Sequence, residues 1–430
     1  MKGNFQLIIV IVFIALAIFG VLVFSGAIPI GGNDESLGQG TVTLWGTVRA
    51  STMSSVIEIF NTTHPTFVVK YVEKSSDTFD QELLEAIASG TGPDMFFLPD
   101  NLTFHYTNKI ITIPYQSFPL TNFKNTFAGA GEVFLSSQGI LAFPIIIDPL
   151  VMYYSRSMLD ANGIVAPPVY WDEFASVVPI LTKKDDSNKI IKSGAALGHY
   201  SNVTHAKDIL ATLFMQTGNP IIIEKEGVPT SVLNNPASAN DLSSVLQFYT
   251  DFADPAKSIY SWNKSFSQSV DAFSREDLAF YFGFASELDS LVNKNPNQNF
   301  LAASVPQLKG ANFKLTGARV TGVAISAFSQ NFNTAFVAAS QMASGDFAIR
   351  LANALGVAPA RRDLLAVRPD DAYSPTFYNS ALYARSWLDP SREDTDDIFR
   401  GLIDGVLSNS VDARNSIADA SAKLNLLLLK

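Results

Sequence analysis

Between Thr41 and Leu98 the sequence alternates short apolar runs with helical patterns and leaves few residues for the connections. Thr41 to Trp45 (TVTLW) reads as a strand that Gly46 ends, and Ser51 or Thr52 is placed to cap a helix through Phe60. Met53, Val56, Ile57 and Phe60 recur in that helix at the spacing of one buried face, and His64-Pro65 stops it. Phe67 to Val72 is the next strand. Asp77 then caps a helix over Phe79 to Ala88 with Leu83, Leu84 and Ile87 on one side. Gly90 closes it, and Pro93-Asp94 leads into a third strand, Met95 to Leu98. A β-α-β-α-β order with short loops predicts a parallel, doubly wound α/β sheet. Ligands of such sheets bind beyond the carboxyl ends of the strands. Those ends are Trp45-Gly46-Thr47, Glu73-Lys74-Ser75-Ser76 and Pro99-Asp100-Asn101. An aromatic ring, small hydroxyls and a carboxylate suit a neutral polyhydroxylated ligand or an amine.

A second stretch, Gly139 to Gly163, limits the number of domains. Ile140 to Ile147 is an apolar run with the character of a strand buried on both faces, and Asp148 sits where it ends. Pro149, a second apolar run with Tyr153-Tyr154, and a short helix ending near Asn162-Gly163 follow. Two strands in series with a polar break predict a chain leaving one sheet and entering another, hence a hinge between two lobes. A chain of 430 residues suits two domains, and 47% hydrophobic with 16% charged residues describes a globular protein. The net charge of −10 argues against nucleic acid and against a basic patch on anionic lipid. The absence of cysteine excludes disulfides, thiolate metal sites, a cysteine nucleophile and lipid attachment through cysteine.

Leu7 to Phe24 carries no charge, and its apolar character continues to Ile30. About 20 such residues cross a hydrocarbon core of roughly 30 Å. Residues 1–30 are therefore expected to form an N-terminal transmembrane anchor. Lys2 favours a cytoplasmic N-terminus, and the rest of the chain is expected outside the cytoplasm. The alternative is a cleaved signal peptide, for which Ser25-Gly26-Ala27 supplies small residues. Residues 31–40 (GGNDESLGQG) read as a flexible linker.

Further along, Trp171-Asp172-Glu173 reads as a packing tryptophan beside capping acids, and Lys183 to Ile191 as a hairpin turning at Ser187-Asn188. Helical patterns dominate from Gly194 to Ser258. Trp262 lies in a loop, and Leu278 to Phe282 is a buried strand running into Gly283-Phe284 ahead of a helix. Phe300 to Pro306 reads as a strand, and Arg319 opens another. Ala413 to Leu428 is an amphipathic helix with Ile417, Leu424 and Leu428 inward. No Walker A, H-E-x-x-H or G-x-S-x-G motif occurs, and His64, His105, His199 and His205 are scattered. No catalytic residue, metal or cofactor is expected. Tyr153 and Tyr154 are read as core residues rather than iron ligands.

Taken in order, VTLWGT, FDQELLEAIASGTGPDMFFLPD, GILAFPIIIDPLVMYYSRSMLDANGI, PPVYWDEFASVVPILTK, AFSREDLAFYFGFASEL and LGVAPARRDLL resemble the family-1 extracytoplasmic solute-binding proteins of sugar-importing ABC transporters. This maltose-binding-protein-like resemblance runs from Thr41 to the C-terminus. It implies a two-lobed periplasmic-binding-protein type II (Venus-flytrap) fold in which the chain crosses between lobes three times, at Ile145–Pro149, Phe300–Pro306 and Leu355–Pro359. The implied lobes are residues 41–147 with 307–355, and 148–306 with 356–430. It also implies a cleft where Trp45, Trp262 or Trp387 stacks on a ligand and Asp100 and Asp148 accept hydroxyl hydrogens. Gly283 and Phe284 would present a helix N-terminus there, and Arg319 would reach in or form a structural ion pair. The implied partners are a sugar or oligosaccharide and a permease with a separate ATPase, with the chain monomeric. A polyamine or other cationic solute is the second ligand class. A sensor for a membrane receptor is another reading, and a glycosidase using Asp100 and Asp148 is the enzymatic one.

Overall fold

The computed structural model describes residues 38–234 and 241–429. The expected anchor at 1–30 and most of the linker at 31–40 lie outside the described residues. Among the described residues no helix is long and apolar enough to cross a membrane.

The opening pattern folds as its spacing demands. Strand Gly40–Gly46 pairs in parallel with Phe67–Glu73 along its whole length and with Met95–Pro99 on its other side. The helix Ala50–Thr63 buries Met53, Val56, Ile57 and Phe60. Its start differs from expectation, because neither Ser51 nor Thr52 caps it. The carboxylate of Glu73, at the end of the neighbouring strand, accepts the Ala50 N–H at 2.6 Å instead. The next helix, Phe79–Ala88, follows Thr78 rather than Asp77, and its N-terminus has no side-chain cap. Leu83 and Ile87 are buried in it, and Leu84 is half-buried.

Phe143–Ser155 is one continuous strand of 13 residues, not two strands with a break. Residues Phe143 to Pro149 pair with the antiparallel strand Thr316–Ile325, and Leu150 to Tyr154 pair with Leu278–Phe284. Pro149 is tolerated because it falls where one partner ends and the next begins, so its missing donor interrupts no long ladder. Leu150 offers its carbonyl to the Thr316 hydroxyl at 2.8 Å, which keeps the junction satisfied. The sheet thus runs Phe67–Glu73, Gly40–Gly46, Met95–Pro99, Thr316–Ile325, Phe143–Ser155, Leu278–Phe284, Ile190–Ala195 and Lys183–Lys184.

Two hydrophobic cores sit at the two ends of this sheet. One gathers Leu44, Phe60, Phe96, Phe143, Ile147, Val323 and Phe347. The other gathers Tyr153, Trp171, Phe214, Trp262, Phe282 and Phe399, with Ile417 and Leu424 of the helix Ala413–Leu427 facing it as expected. Both expected later crossings shift. Among the described residues Phe300–Ser304 pairs only with the far half of Phe143–Ser155, so the chain returns to the first core along Thr316–Ile325. Ala358–Pro359 pairs with Ile147 and Ile146 and belongs to the first core with Val357, Ala360 and Leu365. The final passage is the helix Ser374–Leu382, whose Phe377 packs in the second core and whose Tyr378 and Ala381 pack in the first. A hairpin of Ile222–Lys225 with Val228–Ser231 interrupts the region that reads as helical.

Candidate functional site

The groove between the two cores holds a cavity of about 1080 Å³. Its first wall is Phe104, Gly129, Val133 and the turn Leu135 to Gln138. Its second is Met215, the hairpin from Asn219 to Pro229, and Phe313 to Leu315. Arg385, Ser386 and Trp387 form its end. The same three residues with Met215 line a smaller polar cavity of about 200 Å³, together with Asp100, His205, Asp208 and Arg319. A third cavity, about 740 Å³, lies between Thr47 to Thr52 and Ser286 to Lys294.

Topology explains why these residues meet. The end of Met95–Pro99 delivers Asp100, and the short strand Ala384–Arg385 lies in parallel beside Thr316 and Gly317, which delivers Ser386 to it. The Ser386 hydroxyl donates to Asp100 Oδ2, and the Asn101 N–H donates to Oδ1 at 3.0 Å. Burial raises the Asp100 carboxyl to about 6 despite these donors and the Arg319 charge.

Arg319 and Asp148 are ladder partners, yet they are not an ion pair. Asp148 takes the Ser286 N–H at 2.9 Å and its hydroxyl at 2.6 Å. Its carboxyl is also raised to about 6, first by burial and further by Glu287, against the Ser286 bonds and the Arg319 charge. The Arg319 guanidinium lies 3.8 Å over the Phe284 ring, and its Nη2 is 3.5 Å from Asp208. Glu287 accepts from Tyr281, from the Phe284 N–H at 3.1 Å and from the His205 ring. Burial alone would raise Glu287, but His205 and these donors hold it below the usual carboxylate range. Lys207 is saturated by Asp389 at 3.1 Å, Asp396 at 2.7 Å and the Thr395 hydroxyl at 3.0 Å.

The expected residues therefore divide. Asp100, Arg319 and Trp387 line the polar cavity, and Trp387 also lines the large one. Trp45 is half-buried with the Lys74 ammonium 3.8 Å over its ring, so that face is occupied. Trp262 is a correction. It is fully buried, stacked on Phe266 at 4.3 Å, and donates to Asn202 at 3.1 Å, so it faces no groove. Phe284 is buried beneath Arg319, and a side chain on Gly283 would overlap the Tyr281 ring. The N–H groups expected to meet a ligand after Gly283 are held by Glu287 and Asp148 instead. Trp171 packs as expected, buried, its indole N–H donating to Gln216 at 2.7 Å. Tyr153 is buried, its hydroxyl donating to the Phe284 carbonyl at 2.9 Å. Among the described residues no cluster of potential metal ligands occurs.

Arg385, Ser386, His205, Glu287 and the 219–229 hairpin did not stand out in the sequence. Only Ser386 carried a usable signal, a small polar residue beside Trp387. The others acquire their places through pairings between segments distant in the chain.

Comparison with known proteins agrees with this architecture. Residues 55–377 match the profile of the bacterial extracellular solute-binding protein family. Binding proteins of Brucella abortus (strain 2308) and Brucella suis biovar 1 (strain 1330) are 25% identical over 191 residues, 43% of this chain and 43% of each relative. The match thus spans less than half the length of those relatives. Among solved structures, a cyclo/maltodextrin-binding protein complexed with maltotetraose aligns with a TM-score of 0.72 at 15% identity, covering 92% of this chain and 98% of that one. The sugar-binding protein MalE from Xanthomonas citri aligns at 0.71 with 15% identity, covering 90% and 97%. The GacH receptor of Streptomyces glaucescens, known with acarbose, aligns at 0.66 with 18% identity, covering 91% and 99%. These likenesses establish the two-lobed α/β fold. With most of its length matched to the family profile, the chain belongs to the bacterial extracellular solute-binding proteins.

Proposed function

We propose that this protein is the extracytoplasmic solute-binding component of an ABC importer, closing on a carbohydrate-like ligand between its lobes and delivering it to a permease with a separate ATPase. The observation that carries this reading is the groove of about 1080 Å³ with Trp387 at its inner end and the polar cavity of Asp100, Ser386 and Arg319 beyond. That volume slightly exceeds the usual range of small-molecule sites, roughly 300–1,000 Å³, and suits a ligand of several sugar rings. An indole offers an apolar face to a sugar ring, while a carboxylate and a guanidinium serve its hydroxyls.

In this reading the lobes follow the two cores. The first is built on 41–147 and most of 307–355, with 357–365 added, and the second on 148–306 and the remaining C-terminal residues. They turn about the hinge strand, Thr316–Ile325 and the Ser374–Leu382 passage. Residues 1–30 hold the monomeric protein to the outer face of the cell membrane, and it performs no reaction of its own. Titration with neutral and charged oligosaccharides and with polyamines, followed by calorimetry, tests the ligand class. Saturable heat from sugars is expected, and a response confined to amines would refute it. A permease gene beside this one supports transport, whereas a sensor kinase gene there in its place would support signalling.

A further inference from the structure

Arg385 stands at the junction of the large and polar cavities, beside Met215, Ser386 and Trp387, and is the charged residue among these four. It is half-buried, and among the described residues only its Nη1 has a protein acceptor, the Ala384 carbonyl at 3.0 Å. Among the described residues no carboxylate comes within ion-pair distance of it, although seven other arginines each pair with an aspartate. The carboxylates nearby are committed elsewhere. Asp100 is held by Ser386, and the cation that lowers its carboxyl is Arg319. Asp389 is on Lys207, and Glu132, on the same wall of the groove, is 3.2 Å from Lys124. Glu224 lies on the opposite hairpin and is exposed.

The guanidinium is also seated. Gly129 lies beneath it, and a side chain there would overlap Nη1 and Cζ. A cation left without a counter-ion among the described residues of a chain of net charge −10, given room by a glycine and held by the Ala384 carbonyl, can receive an anion from outside. Trp387, two residues on, lines the same cavities and supplies an apolar face beside it.

We propose that the groove takes an oligosaccharide bearing an anionic group, which docks on Arg385 while the ring carrying it lies against Trp387. This rests on the carbohydrate reading above and narrows it. A carboxylate, as in a uronic acid, and a sulfate ester share the chemistry, and separate arms of the test tell them apart.

The full chain is titrated by calorimetry with trisaccharides of galacturonic, glucuronic, mannuronic and guluronic acid, each as the free acid and as the neutral methyl ester. Sulfated and unsulfated neutral trisaccharides are titrated alongside. At least one acid or sulfate ester is expected to bind more tightly than its neutral counterpart by about tenfold or more, the range of a charge-assisted hydrogen bond. Preference for an acid over its methyl ester identifies the carboxylate, and preference for a sulfated sugar identifies the ester. In Arg385→Gln that preference falls to near unity. Gly129→Ala, which keeps the arginine and displaces its guanidinium, is expected to do the same, with a thermal melt confirming that both variants fold. Neutral trisaccharides binding as well as every charged one would overturn the proposal and leave the carbohydrate reading intact. A preference that survives in Arg385→Gln would also overturn it. Binding by polyamines and by no sugar would overturn the carbohydrate reading itself.

Discussion

Asp148 and Arg319 occupy facing positions of the ladder between Phe143–Ser155 and Thr316–Ile325, yet each turns to a partner in the 284–286 segment. Asp148 takes both donors of Ser286, and Arg319 covers Phe284. Ser286→Ala removes one of those donors and leaves a half-buried carboxylate short of a partner. A loss of about 1.5–3 kcal/mol is expected, as for hydrogen bonds to charged groups. Urea unfolding measures it, and an unchanged midpoint would show that the bond contributes nothing.

The raised carboxyls of Asp100 and Asp148 predict how stability depends on pH. Both titrate near 6 in the folded protein against an ordinary value of 3.8, with burial the leading cause. The folded state therefore binds more protons than the unfolded state across that interval. The stabilisation is complete below about pH 4 and disappears as pH rises through about 6, at most about 3 kcal/mol per group. Denaturation at pH 4.5 and 7.5 should show this slope, and Asp100→Asn with Asp148→Asn should flatten it. An equal slope in the double variant would place the titration elsewhere.

The two tryptophans that looked alike in the sequence should separate cleanly. Trp262→Ala empties a fully buried site and is expected to cost about 3–5 kcal/mol of stability. Trp387→Ala is expected to weaken ligand binding roughly tenfold with a smaller stability loss, since its ring is half-buried beside Phe399. Paired melting and binding measurements decide the matter, and reversed outcomes would exchange the roles.

Lys207→Met leaves Asp389 buried without its cation. Removing one partner of a buried pair costs about 3–5 kcal/mol, and Asp389→Asn in the same chain should recover part of it. A double-mutant cycle with no coupling would refute the pairing of Lys207 with Asp389.

A good deal of this was legible in the chain. Met53, Val56, Ile57 and Phe60 announced a buried helix face, because burial repeats with the helical period. The alternation from Thr41 to Leu98 required parallel crossovers, because short loops leave no other route. The family was recognisable from the order of its junctions. The caps were less legible. Ser51 and Thr52 had the right chemistry for one, but Glu73, brought alongside by strand pairing, supplies the acceptor.

Local spacing determined the first parallel strands with their helices and Asp100 at a strand end, since periodicity and turn chemistry act over a few residues, but not that Phe143–Ser155 is one unbroken strand. Tertiary structure decided what faces the groove. It buried Trp262, covered Trp45 with Lys74, and gave both oxygens of Asp148 to Ser286. It also set Arg385 on Gly129, without an acidic partner among the described residues, where two cavities meet. Whether a ring or a charge is free depends on neighbours far away in sequence, and only the folded chain brings them together.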